Sequence, residues 1–215
     1  MRTISQVVEE IIQRSPFLAE TISEGIANNA EIARKIKPDV EKRLYEKVSE
    51  AAIAMALHRM SKSIRKSHDG EKMLKQIHDI TVRSNLVEFV FPNPRGDASW
   101  ILEALASNRA NGTFFNFSRG LHESLVIVNK EFADKIATTL KKEENVKRTD
   151  NLSAITMRLP QASLDVPGLY YPLLKAIAWE GISFVEVMSV DTEFSILFED
   201  KDVDRAFSVL KRITS

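Results

Sequence analysis

The spacing of apolar side chains changes near residue 85, and this change constrains the fold more than any other feature. Between residues 4 and 66, apolar side chains recur every three to four positions, as at Val7, Val8 and Ile11. This is the spacing of a helix with one buried face. Beyond Asn85 the apolar side chains alternate with other residues, which is typical of strands. We therefore expect an α+β chain in which a helical part precedes a mixed part.

The helical part is predicted to span residues 1–68. Ser15 and Pro16 suit the start of a second helix, because proline is favoured at the first helical position. Pro38 is expected to end a third helix or to open the next one, and Ser49 is expected to cap a longer last helix. A turn at Asp69-Gly70 should lead into a helical linker over residues 69–83.

The remaining sequence repeats one order of elements. Strand, loop, helix, strand, strand and helix are predicted over residues 84–150, including a helix near 98–105, and again over residues 151–215. This pattern predicts two ferredoxin-like βαββα(β) units, with helices packed on one face of largely antiparallel sheets.

Composition excludes several classes of protein. The chain has no cysteine, so it can form neither disulfides nor thiolate metal sites, and this fits a cytoplasmic protein. No apolar run reaches the ~18–20 residues that cross a bilayer, and we expect no membrane partner. The histidines are scattered, and no nucleotide-binding or hydrolase motif is present. We therefore expect no metal, no cofactor and no enzymatic activity.

Residues 152–213 resemble an ACT domain of the type found in aspartate kinases. The resemblance rests on a first strand at 152–155, on Pro167-Gly168 where a helix begins, and on the helix-to-strand turn at Gly181-Ile182. Residues 186–189 and the last helix at 202–206 also match. Residues 85–150 resemble a second, diverged copy that lacks the Pro-Gly pair.

The resemblance implies a non-catalytic sensor that binds an amino acid, often between two domains. Ligand contacts in this family typically come from the loop before the first helix and from the following strand. Carried onto this sequence, the expected ligand-binding residues are Asp165, Val166, Pro167, Gly168, Leu169, Val187, Met188 and Ser189. A helix N-terminus can hold a carboxylate. Asp165 can either meet the ligand's ammonium group or simply cap the helix.

The last N-terminal helix carries a row of basic side chains. Arg59, Lys62, Arg65 and Lys66 recur at three- to four-residue steps, so they form one candidate nucleic-acid-binding stripe. The helices around it resemble a helix-turn-helix domain, although the connector expected from Lys37 to Val48 is longer than in the compact motif. Two interpretations stay open: binding of duplex DNA, or docking on another protein.

Taken together, the sequence predicts a tandem ACT-domain regulatory protein. Its ACT units would sense an amino acid or a related small molecule, and its helical domain would act as an amino-acid-responsive transcriptional regulator. The alternative is a regulatory subunit or dimerisation protein that docks on a separate metabolic enzyme without binding DNA. Because an ACT unit exposes a sheet edge, we expect a homodimer or a higher homo-oligomer.

Overall fold

The computed structural model describes residues 2–64, 73–77, 79–93, 114–141, 143 and 145–215. The side chains of residues 62–64 and 164 are not described. The chain divides into two compact units, Met1–Lys72 and Met73–Ser215. The helix expected near residues 98–105 lies outside the described residues.

The first unit contains four described helices: α1 (Ile4–Gln13), α2 (Pro16–Ser23), α3 (Asn29–Leu44) and α4 (Glu50–Ile64). Thr3 begins α1 with a capping box to Gln6, and the Ser49 hydroxyl accepts from the Ala52 amide at 3.2 Å as the expected cap of α4. The four helices bury their apolar stripes in one core, which contains Val8, Ile12, Ala33, Ile36, Val40, Ile53 and Leu57.

Helix α3 corrects the prediction made for Pro38. The helix runs through this proline without interruption, although proline removes one hydrogen bond inside a helix. Ala33, Ile36 and Val40 lie buried on either side of it, and their burial offsets the lost bond. The expected connector from Lys37 to Val48 is therefore wrong, because α3 and α4 are separated only by residues 45–49.

The second unit is built on one six-stranded antiparallel sheet. Its elements, in chain order, are β1 (Ile80–Pro92), β2 (Phe115–Arg119), β3 (Glu123–Asn129), α5 (Lys130–Leu140), β4 (Lys147–Arg158), a 3-10 helix (Gln161–Asp165), α6 (Tyr170–Trp179), β5 (Glu186–Val190), β6 (Glu193–Glu199) and α7 (Asp200–Thr214). The strand order is β2-β3-β1-β4-β6-β5. Residues 80–83 belong to β1, so the predicted helical linker is wrong there; the β-branched Ile80, Thr81 and Val82 favour a strand.

The two halves of this sheet are related by a local pseudo-two-fold axis. Leu86 in β1 pairs with Leu152 in β4 at the axis, and each leucine follows an asparagine with positive φ, 59° at Asn85 and 58° at Asn151. The register shifts beside Leu86, as expected for a bulge. The α+β class and the antiparallel pairing are confirmed, but β1–β4 pairing joins the two predicted units into one continuous sheet.

The described helices of this unit pack on one sheet face. Helices α6 and α7 cover the core that contains Ile155, Met157, Phe194, Ile196 and Phe198, and α5 covers Val87, Phe89 and Phe91. We call this side the helix face. The opposite side, the second face, carries the buried residues Leu86, Ile127, Leu152, Ala154 and Leu197. Side chains on both faces are therefore removed from water, which an alternating strand pattern alone does not predict.

Candidate functional site

The expected ligand-binding loop leads directly into α6. A 3-10 helix ends at Asp165, and the Val166 amide closes it by donating to the Ser163 carbonyl at 3.1 Å. Asp165, Pro167 and Gly168 are exposed and Val166 is half-buried. Leu169 is 5% exposed and belongs to the core of the helix face. Leu169 therefore anchors the loop, while the residues before it remain open to solvent.

Gly168 has a backbone conformation that favours glycine. Its φ is +76°, in the left-handed region, and a Cβ atom added there would meet nothing within 4 Å. Gly168 therefore turns the chain into α6 and also leaves open space next to its first turn. The Gly168 carbonyl accepts from the Tyr171 amide at 3.0 Å.

Asp165 does not cap the helix, which removes one of the two roles considered for it. Leu169 occupies the N-cap position of α6, and no side chain bonds to the amides there. Among the first amides of α6, that of Tyr171 donates to the Gly168 carbonyl and residue 172 is a proline without an N–H, so the Tyr170 amide is left for water or a ligand. The carboxylate of Asp165 is thus separate from these amides.

The strand β5 contributes two of its three predicted residues to the same side as α6. Ser189 pairs with Phe194 and Val187 pairs with Ile196, and both partners belong to the core of the helix face. Directly paired residues lie on the same face of a sheet. The Tyr170 hydroxyl and the Ser189 hydroxyl are 3.0 Å apart and share a hydrogen bond, so the start of α6 lies beside β5.

Met188 is not brought to this site. Side chains alternate along a strand, so Met188 lies on the face opposite Val187 and Ser189. It packs instead against the buried cluster of the second face, which includes Leu197 of the neighbouring strand β6. The prediction of Met188 as a ligand contact on the α6 side is therefore wrong, because it treated three consecutive strand residues as one surface.

Two residues at this site were missed by the sequence analysis. Ser163 is 2% exposed and its hydroxyl oxygen has no hydrogen-bond partner. Tyr170 was not among the expected ligand-binding residues, yet its hydroxyl reaches Ser189 while its ring stacks on Phe194 with centroids 4.3 Å apart. A buried, unpartnered hydroxyl costs free energy unless a ligand or water completes it. No sequence signal distinguishes such a serine from an exposed turn serine.

Of the basic stripe, the structure describes only Arg59 in full. Arg59 is exposed on α4 and donates to the Ser5 hydroxyl of α1 at 3.2 Å. Lys62 lies on the same helix, but its side chain is outside the described residues, as are Arg65 and Lys66. The stripe stays a prediction.

The described part of the chain contains neither a metal-binding cluster nor a membrane-spanning helix. No three His, Asp or Glu side chains within it lie close enough together to hold a metal ion. None of its helices is both long enough and apolar enough to cross a membrane.

Comparison of sequences identifies no relative. No protein-family model matches the sequence, and no curated protein matches it. The fold, however, is similar to that of solved structures.

The regulatory subunit of aspartate kinase from Thermus thermophilus, in its ligand-free form, matches with a TM-score of 0.53 and 13% identity, over 65% of this chain and 98% of that one. A structure of aspartokinase alpha and beta subunits matches with a TM-score of 0.52 and 16% identity, over 64% of this chain and 97% of the other. The aspartate kinase of Clostridium acetobutylicum matches with a TM-score of 0.54 and 12% identity.

This chain spans only 35% of the Clostridium enzyme, although the match covers 65% of this chain. The structural neighbours, which include the regulatory subunit of an aspartate kinase, show the fold alone at these identities. The resemblance to a helix-turn-helix domain in the first unit is not confirmed.

Proposed function

We propose that this chain is a non-catalytic regulatory protein that binds an amino acid or a similar small zwitterion where α6 begins. One of the neighbours named above is the regulatory subunit of an aspartate kinase, and this chain covers 65% of its own length in that match. That relation supports a regulatory role for the sheet unit.

The unpartnered hydroxyl of Ser163 carries the proposal. It is buried in the turn that leads to Gly168, and beyond Gly168 the N-cap residue of α6, Leu169, makes no side-chain cap to the Tyr170 amide. These groups offer a carboxylate two donors, the Ser163 hydroxyl and the Tyr170 amide at the positive end of a helix dipole. The exposed Asp165 carboxylate provides the complementary charge for an ammonium group.

A thermal-shift screen against the twenty amino acids tests this site. Ligand at ~100 times its dissociation constant stabilises the folded protein by about 2.7 kcal/mol, which is a readily measured shift. The variant Ser163→Ala should weaken the response to the ligand found, whereas Ser118→Ala, on the exposed end of β2, should leave it unchanged. Equal responses from the two variants would contradict the site.

We also propose that the protein forms a homodimer or a higher homo-oligomer through the edge strand β5. This strand ends the sheet, and its Val187 and Val190 side chains are 37% and 64% exposed. Apolar side chains on an unpaired strand favour pairing with another strand. Because Val187 and Ser189 also border the α6 site, a second copy would lie next to the bound ligand.

The first unit would transmit the signal, and two targets are considered for it. In the transcriptional version, Arg59, Lys62, Arg65 and Lys66 contact DNA phosphates, so affinity falls with salt. In the other, the unit docks on a separate enzyme. The test is binding of duplex DNA at low salt by wild type and by the double variant Arg59→Glu with Lys62→Glu. Loss of binding in the double variant favours the transcriptional version. Equal affinity of wild type and this double variant for DNA excludes the stripe as the interface.

A further inference from the structure

Two unpartnered polar oxygens lie in one row on the second face of the sheet. Glu88 in β1 and Asn116 in β2 both pair with Ile127 of the strand between them. Their Oε1 and Oδ1 atoms are each buried without a hydrogen-bond partner. Paired residues across adjacent strands share a face, so both side chains lie on the side of Ile127. This row is on the opposite side of the sheet from α5, α6 and α7.

Glu88 is the more unusual of the two. It is 3% exposed, and carboxylates are almost never buried to this extent unless they are paired. Among the described residues it forms no ion pair. Its immediate surroundings on this face are Leu86 and Ile127, both fully buried. An unpaired buried acceptor in native proteins calls for a bound water, an ion or a ligand.

The pseudo-two-fold axis places a further acidic residue on the second face, in the other half of the sheet. Just as Asn116 pairs with Ile127 in the first half, Glu186 of β5 pairs with Leu197 in the second half. Glu186 and Asn116 therefore occupy equivalent positions on the two sides of the axis. The position equivalent to Glu88 is held by Ala154. Ala154 pairs with Leu197 of β6, as Glu88 pairs with Ile127 of β3. The acidic group is thus a feature of one half only.

The charges facing Glu88 are unbalanced. Burial first, and then the negative charge of Glu186, raise the pKa of Glu88 to about 7, while Lys147 acts in the opposite direction. The pKa of Glu186 is itself raised by burial. The ionised form of Glu88 is therefore short of positive charge in the described structure. A bound cation would supply this charge.

We propose that the second face of the sheet holds a binding site for a small organic ammonium ion, with Glu88 as its anionic anchor. Glu88 and Asn116, both opposite Ile127, present oxygen acceptors, and Glu186 adds negative charge to the same face, so the ligand must bring donors and a positive charge. The neighbouring side chains of Leu86 and Ile127 are apolar, so they contact an aliphatic body. Mostly apolar walls with a few polar groups of shifted pKa are typical of small-molecule sites.

The site is separate from the one where α6 begins. Met188 and Glu186 lie on the second face, whereas Val187 and Ser189 lie on the helix face. The two sites share strand β5 but no side chain. The ammonium site consequently does not rest on the proposed sensing of an amino acid.

Thermal unfolding with n-butylammonium chloride tests the site, with n-butanol as the neutral probe and potassium chloride to match ionic strength. At pH 8, where Glu88 is ionised, we expect a saturable rise in the unfolding midpoint of the full chain with butylammonium and none with butanol. At pH 5.5 the apparent affinity should fall by tenfold or more, since the ligand then competes with a proton.

Three variants make the test specific. Glu88→Gln keeps the shape of the side chain and should weaken butylammonium at least tenfold, while Glu46→Gln, an exposed change in the helical unit, should not alter it. Glu186→Gln should weaken butylammonium binding by a smaller factor. It replaces Glu88→Gln as the test variant if Glu88→Gln does not fold. Ser163→Ala should leave the response intact. The proposal is overturned if wild type shows no saturable response at pH 8, or if Glu88→Gln and Glu186→Gln both respond like wild type.

Discussion

The Tyr170 hydroxyl lies 3.0 Å from the Ser189 hydroxyl, so one hydrogen bond joins the first turn of α6 to the edge strand β5. The same tyrosine ring stacks on Phe194 of the neighbouring strand β6. Tyr170 thus connects the helix with the two strands that border the proposed amino-acid site. A ligand bound there would contact groups whose positions depend on this residue.

Tyr170→Phe should separate the hydrogen bond from the packing. The ring stack is retained, so loss of the hydroxyl should reduce the free energy of unfolding by only about 0.5–1.5 kcal/mol. Tyr170→Ala removes the ring as well and should cost about 3–5 kcal/mol, by analogy with other aromatic truncations. Urea denaturation of both variants measures the difference. Similar losses would show that the hydroxyl, not the stack, stabilises this corner.

The stability of the protein should fall as pH rises from about 5 to above 7. Glu88 in the folded state has a pKa of about 7, against an ordinary value of 4.5. Between these values the folded chain binds more protons than the unfolded chain, so rising pH favours unfolding. The change attributable to Glu88 is on the order of 3 kcal/mol over this window, and the raised pKa of Glu186 acts in the same direction.

The variant Glu88→Gln provides the control for this pH dependence. It has no proton to lose, so its unfolding free energy should be flatter across the same window. Asp150 acts in the opposite sense, because its hydrogen bond to Arg148 lowers its pKa, but its contribution is lost only at acidic pH. If the unfolding free energy of Glu88→Gln falls with pH as steeply as that of wild type, the pH dependence belongs to other groups.

Gly168→Ala should destabilise the protein although space is available for the methyl group. The cost, about 1 kcal/mol, comes from the positive φ of 76° and not from a clash. Gly168→Asn should cost less, because asparagine tolerates the left-handed region better than alanine. Chemical denaturation of the two variants provides the comparison. An alanine variant as stable as wild type would show that the loop relaxes to negative φ.

Val190→Lys should shift the protein toward the monomer. Lysine on an edge strand opposes strand-to-strand association, and residue 190 is 64% exposed, so the change should not disturb the core. Sedimentation velocity across a concentration series measures the assembly. A matched change, Met55→Lys on the exposed face of α4, serves as control in the other unit. If only the Met55→Lys control becomes monomeric, the oligomer interface lies in the helical unit and not on β5.

Local sequence determined the ends of several elements correctly. Gly181 was expected to stop α6, and it does so at φ +66°. The Gly181 amide bonds to the Ala178 carbonyl and the Ile182 amide to the Ile177 carbonyl, which together form a Schellman cap. Pro16 begins α2 and Ser49 caps α4 for equally local reasons. Such features depend on a few neighbouring residues, so the sequence contains the information.

Long-range pairing decided what the local patterns left open. The pattern around Glu88 predicted a strand but not that its polar position would be buried, because only the assembled sheet determines which faces meet water. The separation of Met188 from Ser189, and the joining of two halves through Leu86 and Leu152, likewise follow from strand register. By itself, the sequence determined element types, ends and the internal repeat. The tertiary structure decided which side chains share a face, because that depends on contacts between residues far apart in the chain.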